Sequence, residues 1–158
     1  MIINVFDNFL PSEECNKIIE TYANHQHKVK KWGNTFPLPL VSVGSLAEKL
    51  STKSSVINNS TLDWMEIVKW PVDSYQNLHV DKAKKDTILA AIIYLNDDYE
   101  GGQTYFADNT VIQPKQGRVL FFDGKYYRHG VTLIKNSNRF TIAAWFKNKP
   151  ILKRDKQG

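Results

Sequence analysis

At 158 residues the chain fits one domain built around a single hydrophobic core. With 42% hydrophobic and 23% charged residues it has an ordinary globular composition, and its one cysteine, Cys15, excludes an internal disulfide framework and a cysteine-based zinc cluster. The formal charge of +5 invites phosphate-bearing partners, but the basic residues are scattered, concentrating only at Lys28 to Lys31, Lys82 to Lys85 and Lys147 to Lys156, so nucleic acid is a partner the sequence does not favour.

Ile2 to Phe9 alternate loosely and read as a short strand. Pro11-Ser12-Glu13-Glu14 looks like a helix start, with Ser12 placed to cap and two acids in the first turn. Cys15, Ile18, Ile19 and Tyr22 then form one apolar helical stripe, which reads Cys15 as a small buried hydrophobe. Residues 24 to 45 show no sustained period and read as a long loop carrying His25, His27, Trp32, Phe36, Pro37 and Pro39; the two histidines read as solvated. Leu46, Ala47 and Leu50 suggest a short helix, and the polar run Ser51 to Ser60 a surface loop.

From Leu62 the chain becomes a series of apolar strands separated by turn residues. They are Leu62 to Trp70, Tyr75 to Val80, Thr87 to Leu95, Gln103 to Phe106, Thr110 to Gln113, Arg118 to Phe122, Arg128 to Leu133 and Asn138 to Phe146. Short strands at this spacing argue for a mainly β sandwich or barrel, and eight or so of them after a helical N-terminal part suit a jelly roll with helices on one outer face. Thr87 to Leu95 is apolar on both faces, as expected of a strand lining a barrel on one side and lying under a helix on the other. The expected organisation is a single domain over 1–158. In it, 1–61 packs on the barrel, 62–147 forms the jelly-roll core and 148–158 is a basic, solvated tail. No signal peptide and no stretch able to span a bilayer is evident, which makes the cytoplasm the expected location.

His79-Val80-Asp81 places an imidazole and a carboxylate two residues apart in an extended segment, hence on one face. Joined by a second histidine, for which His129 is the candidate, they make a two-histidine, one-carboxylate set that leaves coordination positions open on a first-row metal. On the last strand Arg139 and Thr141 share a face with Ala143 and Trp145, opposite Phe140, Ile142, Ala144 and Phe146. If the second face packs on the helices, Arg139 points into the barrel, where a guanidinium needs an anion, a bound ligand or one of the protein's own acids, unless it reaches solvent at the strand end.

The order His79-x-Asp81, His129 and Arg139 resembles the iron(II) and 2-oxoglutarate-dependent dioxygenases, specifically their prolyl 4-hydroxylase-like branch. The likeness extends to Ile93-Tyr94-Leu95-Asn96-Asp97, to Glu100-Gly101-Gly102-Gln103-Thr104-Tyr105-Phe106, to Pro114 through Phe122 and to Arg139 through Phe146, about Trp64 to Lys147 in all. It implies a double-stranded β-helix, cupin-like, with Fe(II) held by His79, Asp81 and His129. It also implies 2-oxoglutarate and O₂ as co-substrates, ascorbate as a reductant, and Arg139 on the far carboxylate of 2-oxoglutarate, with Thr141 and Tyr75 as further contacts. The reaction implied is hydroxylation of an unactivated C–H bond, with a prolyl residue of a peptide or protein as the branch-level substrate. Trp32, Phe36 and Tyr99 are candidates for the substrate rim, while Lys82, Lys84, Lys85, Lys125 and Arg128 near the mouth suit an acidic peptide or a nucleic acid. Alternative readings are a non-catalytic jelly-roll binding module, and an oxygenase of a nucleobase or free small molecule.

Overall fold

Two antiparallel sheets enclose the interior in the computed structural model, which describes residues 3–40 and 44–150. The elements in chain order are β1 (Ile3–Phe6), α1 (Ser12–Asn24), β2 (Phe36–Leu40), α2 (Gly44–Asn58), β3 (Ser60–Trp70), β4 (Gln76–His79) and β5 (Thr87–Tyr94), then β6 (Thr104–Phe106), β7 (Val111–Ile112), β8 (Val119–Phe122), β9 (His129–Val131) and β10 (Arg139–Asn148). The larger sheet runs β1-β8-β5-β10-β3-β2 and the smaller β4-β9-β6-β7, giving the jelly roll expected from the strand pattern and the double-stranded β-helix that the resemblance implies. Among the described residues no helix is long and apolar enough to cross a membrane.

The alternation along the central strands decides what lies on each side of the large sheet. Leu89, Ala91 and Ile93 of β5, Met65 and Ile67 of β3, and Ile142, Ala144 and Phe146 of β10 join Cys15, Ile18 and Tyr22 of α1 and Leu46 and Leu50 of α2 in one core. The other face turns inward. Ala90 and Tyr94 meet Leu120, Phe122 and Phe106, and Val68 and Trp70 meet Val131 and Ile134, so residues of both sheets close the barrel. Cys15 is wholly buried, and burial pushes its thiol up to about 11, which leaves it an inert packing residue.

Four expectations are corrected. Residues 24 to 45 are not one long loop: a turn of 3₁₀ helix covers Gln26–Lys28, and β2 pairs with β3 from Phe36↔Lys69 to Leu40↔Met65. The prolines are compatible with this because β2 is an edge strand. The carbonyl of Pro37 accepts from the Lys30 N–H on the outer side, so its ring nitrogen also faces away from the ladder, as does that of Pro39 two residues on. The run Ser51 to Ser60 is no surface loop either, since α2 continues to Asn58. Leu46, Leu50 and Ser54 fall at i, i+4 and i+8 and are all buried, and Ser54 and Ser60 satisfy each other's backbone, so hydroxyls occupy positions that composition reads as solvent-facing. Finally, the N-cap of α1 is Pro11 without a side-chain cap, and Ser12 is already helical. The expected basic tail begins later than drawn, because Lys147 and Asn148 belong to β10; residues 151–158 lie outside the described residues, as does Val43 of the expected loop.

Candidate metal and co-substrate site

Topology brings His79, Asp81 and His129 together from two adjacent strands and the segment that follows one of them. In the small sheet β4 pairs with β9 so that His79 stands opposite His129. Beyond β4 the chain stays tied down, the Asp81 N–H donating to the Gly124 carbonyl at 2.8 Å in the turn after β8. One ligand atom from each of the three residues lies within 4.8 Å of the other two. His129 Nε2 is 3.1 Å and His79 Nε2 3.8 Å from Asp81 Oδ1.

Backbone carbonyls set the tautomers. His79 Nδ1 donates to the Asn77 carbonyl at 2.9 Å and His129 Nδ1 to the Tyr127 carbonyl at 2.8 Å. In the neutral rings Nε2 is therefore a bare lone pair, and burial, the largest influence on His79, holds its pKa below the usual histidine range. Asp81 Oδ2 accepts from Trp145 Nε1 at 3.3 Å, leaving Oδ1 turned toward the imidazoles. Two bare Nε2 atoms and a carboxylate oxygen converging at these distances repel one another unless a proton or a metal cation sits among them. Nitrogen and oxygen donors of this kind suit a divalent first-row metal, and the hydrogen-bonded Nδ1 atoms are the support such ligands need. Room for the carboxylate comes from Gly124, where a Cβ would approach Asp81 Cγ to 2.9 Å and Oδ2 more closely still.

Toward the other end of β10 lies Arg139, only 1% exposed. Its Nε donates to the Gly102 carbonyl at 3.0 Å and one terminal nitrogen to Thr104 Oγ1 at 3.4 Å, while its guanidinium carbon lies over Trp70 at 5.0 Å and Tyr94 at 5.5 Å. No carboxylate pairs with it among the described residues. Of the readings left by the sequence, an arginine reaching solvent at the strand end is excluded by this burial, and none of the described acids takes the guanidinium. Thr141 is buried on the same face, opposite Tyr94. A buried cation with undirected N–H donors, next to the Tyr99 hydroxyl that is buried without a partner among the described residues, is the complement of an anion's oxygens.

Tyr94 and Tyr99 are the tyrosines of this group; burial raises both hydroxyls above the usual range. Tyr99 was expected on the substrate rim but is packed beside Arg139, its ring against the Gly102 backbone. Tyr94 was missed, although a tyrosine among aliphatic residues whose hydroxyl must be satisfied, here by Thr104 at 2.5 Å, is a recognisable signal. Tyr75 is 50% exposed and has no hydrogen bond to this group. Trp32 is 75% exposed in the Trp32–Thr35 turn, and Phe36 faces Lys69 on the helix side of β2, so neither reaches the mouth beside Asp81. The basic residues at the mouth are partly committed: Lys84 pairs with Asp63, and Lys125 Nζ donates to the carbonyls of Lys84, Lys85 and Thr87.

A family model described as the 2OG-Fe(II) oxygenase superfamily matches residues 65–147. Prolyl 3-hydroxylase 2 of Rattus norvegicus is 38% identical over 69 residues, 39% of this chain but 10% of that protein, so the chain aligns with about a tenth of the curated relative. Among solved structures, a viral collagen prolyl hydroxylase from Paramecium Bursaria Chlorella virus-1 in a 2-oxoglutarate complex superposes with TM-score 0.76 at 18% identity, covering 95% of this chain and 97% of that one. A prolyl-4-hydroxylase from Pseudomonas putida gives TM-score 0.75 at 14% identity over 94% and 93%. At these identities the structural likeness concerns the fold.

Proposed function

Since the chain belongs to the 2OG-Fe(II) oxygenase superfamily, we propose that it is an Fe(II)- and 2-oxoglutarate-dependent hydroxylase of an unactivated C–H bond. In this reading its described elements act as one catalytic unit. The observation that carries it is the pairing of two features inside one barrel: three converging acceptor atoms at one end, and at the other a buried Arg139 without a carboxylate partner among the described residues. His79, Asp81 and His129 would hold the iron through Nε2, Oδ1 and Nε2. Arg139 would hold the far carboxylate of 2-oxoglutarate, with the Tyr99 and Thr141 hydroxyls as neighbours. The iron, with 2-oxoglutarate and O₂, supplies the oxidant, releasing succinate and CO₂.

The chain's own contribution is orientation and exclusion of water. The Asn77 and Tyr127 carbonyls keep the proton on Nδ1 of each histidine, and the Trp145 indole holds one carboxylate oxygen aside so that the other faces the imidazoles. Phe106 and Phe122 wall the His129 ring, limiting water beside it. A prolyl residue of a peptide is the substrate class carried forward from the family, with ascorbate as an auxiliary reductant.

The test is incubation of purified protein with Fe(II), 2-oxoglutarate and ascorbate, following succinate, with His79→Ala as the control. Succinate formation that is lost with metal retention in His79→Ala supports the reading. Wild-type protein that neither retains iron nor forms succinate defeats it.

A further inference from the structure

Glu66 lies on β3 between Trp64 and Val68, opposite Ala143 of β10, which in turn faces Ile92 of β5. Its strand neighbours Met65 and Ile67 belong to the core under the helices, so the Glu66 side chain takes the face that lines the barrel. That places a carboxyl on an apolar wall, between the Arg139 end and the stacked indoles of Trp64 and Trp145, whose centroids are 3.9 Å apart. Among the described residues it has neither a hydrogen bond nor an ion pair, and burial alone pushes its pKa up to about 7.

The other carboxylates around the barrel are accounted for. Asp63 has Lys84 and Lys147, Asp7 has Arg118, and Asp81 belongs to the metal set. Lys69, on the same strand as Glu66, takes the opposite face, over the Phe36 ring. Glu66 is not one of the three converging ligands. The charges of the loaded site are informative: two on the iron and one on Arg139 balance Asp81 and the two carboxylates of 2-oxoglutarate. An ionised Glu66 leaves the barrel one negative charge in excess, in a partly dry setting where such an excess attracts a cation strongly. The neighbouring indole wall is also a favourable surface for an ammonium or guanidinium.

We propose that Glu66 is a specificity residue: the primary substrate carries a cationic nitrogen close to the carbon that is oxidised, and Glu66 binds it beside the Trp64–Trp145 stack. For a peptide substrate this means a lysyl or arginyl residue at or next to the hydroxylated position. Of the five basic residues of the mouth, Lys84 and Lys125 are already held by protein oxygens; Lys82, Lys85 and Arg128 stand exposed outside the barrel wall that carries Glu66.

The inference rests on the oxygenase reading, and the experiment separates the two. Alanine-framed peptides carrying Lys, Arg, norleucine or Glu beside a proline, and the same set with the proline replaced by alanine, are incubated with the iron-loaded enzyme, 2-oxoglutarate and ascorbate. Gain of one oxygen is read by mass spectrometry and succinate in parallel. Oxygen should enter the Lys and Arg peptides that carry the proline, ahead of the norleucine and Glu peptides; in the alanine set it should enter only where the cationic residue is itself the one oxidised. In Glu66→Gln the ratio of kcat/KM for the Lys peptide to that for the norleucine peptide should fall at least tenfold, while the affinity for Mn(II) stays within twofold. Equal oxidation of neutral and cationic peptides, an unchanged ratio in Glu66→Gln, or succinate formed with no peptide oxidised overturns the proposal. Absence of both iron binding and succinate instead overturns the oxygenase reading, and this inference with it.

Discussion

Gly124 supplies the sharpest test of the metal site, since it acts on Asp81 by occupying no space. A Cβ at this position would stand 2.9 Å from Asp81 Cγ, against roughly 3.5–4.0 Å for an unstrained carbon contact. In Gly124→Ala the carboxyl must therefore retreat by about 1 Å, whereas metal–ligand distances tolerate about 0.2 Å. The Gly124 backbone is not in the left-handed region, so alanine brings no backbone strain of its own, and the 2.8 Å bond from the Asp81 N–H keeps the two segments from simply parting. Displacing a ligand through its support typically costs 10- to 100-fold in metal affinity, or about 1.4–2.7 kcal/mol. Calorimetric titration with Mn(II) reads this directly. The mechanism also makes a demand on the Asp81→Ala background, where the clash partner is absent: there Gly124→Ala should change affinity by less than twofold. Wild-type affinity in the single variant, or an equal loss in both backgrounds, would refute the argument.

Three further outcomes follow from the same geometry. Arg139→Met removes a buried charge that has no carboxylate partner among the described residues, so without ligand the melting temperature should hold or rise. The rise that 2-oxoglutarate produces in the wild type should disappear, matching an affinity loss of about 2–5 kcal/mol, roughly 30-fold or more, by calorimetry. Glu66 has a folded pKa raised from 4.5 to about 7, so the wild-type fold keeps its full stability below pH 4.5 and loses it as pH rises toward 7 and the buried carboxyl must ionise. Denaturant melts of metal-free protein should show Glu66→Gln gaining on the wild type by up to about 3 kcal/mol between pH 4.5 and 8, with the two curves parallel above that. Trp145→Phe keeps an aromatic ring against Trp64 but loses the 3.3 Å bond to Asp81; Mn(II) affinity should drop about fivefold, the equivalent of about 1 kcal/mol.

Residues with no chemical substitute were the legible ones. Two histidines and an aspartate gathered for a metal, and an arginine on the inward face of a strand, stand out because a hydrophobe cannot do their work and burial without a partner is costly. The faces of β5 and β10 were equally readable, since period-two alternation follows from the pleat itself. What escaped reading were positions where tertiary context reverses a local preference. Pro37 and Pro39 speak against a strand until the edge position of β2 turns their nitrogens outward. Ser54 and Ser60 look like loop residues until each satisfies the other's backbone in the shelter of α2. Tyr99 looks like a rim aromatic because only the close approach of the Gly102 backbone, at positive φ, brings its ring inward to Arg139.

The ten-residue interval from His129 to Arg139 acquires a physical meaning from the topology. β9 starts at the metal end and runs down the small sheet; the chain turns, and Arg139 opens β10 at the far end of the large sheet, so the interval measures one traverse of the barrel. A five-carbon dicarboxylate anchored at both ends would then lie along β10, over Thr141 and Ala143. Across that line stands β3, whose inward residues are Trp64, Glu66, Val68 and Trp70. Three of these are apolar wall and one is a carboxyl facing Ala143, the smallest side chain of the opposing row. The proposed oxidant thus depends on β4, β9 and β10, and the only inward charge β3 offers is Glu66, which is why selection among substrates is expected there and not at the metal.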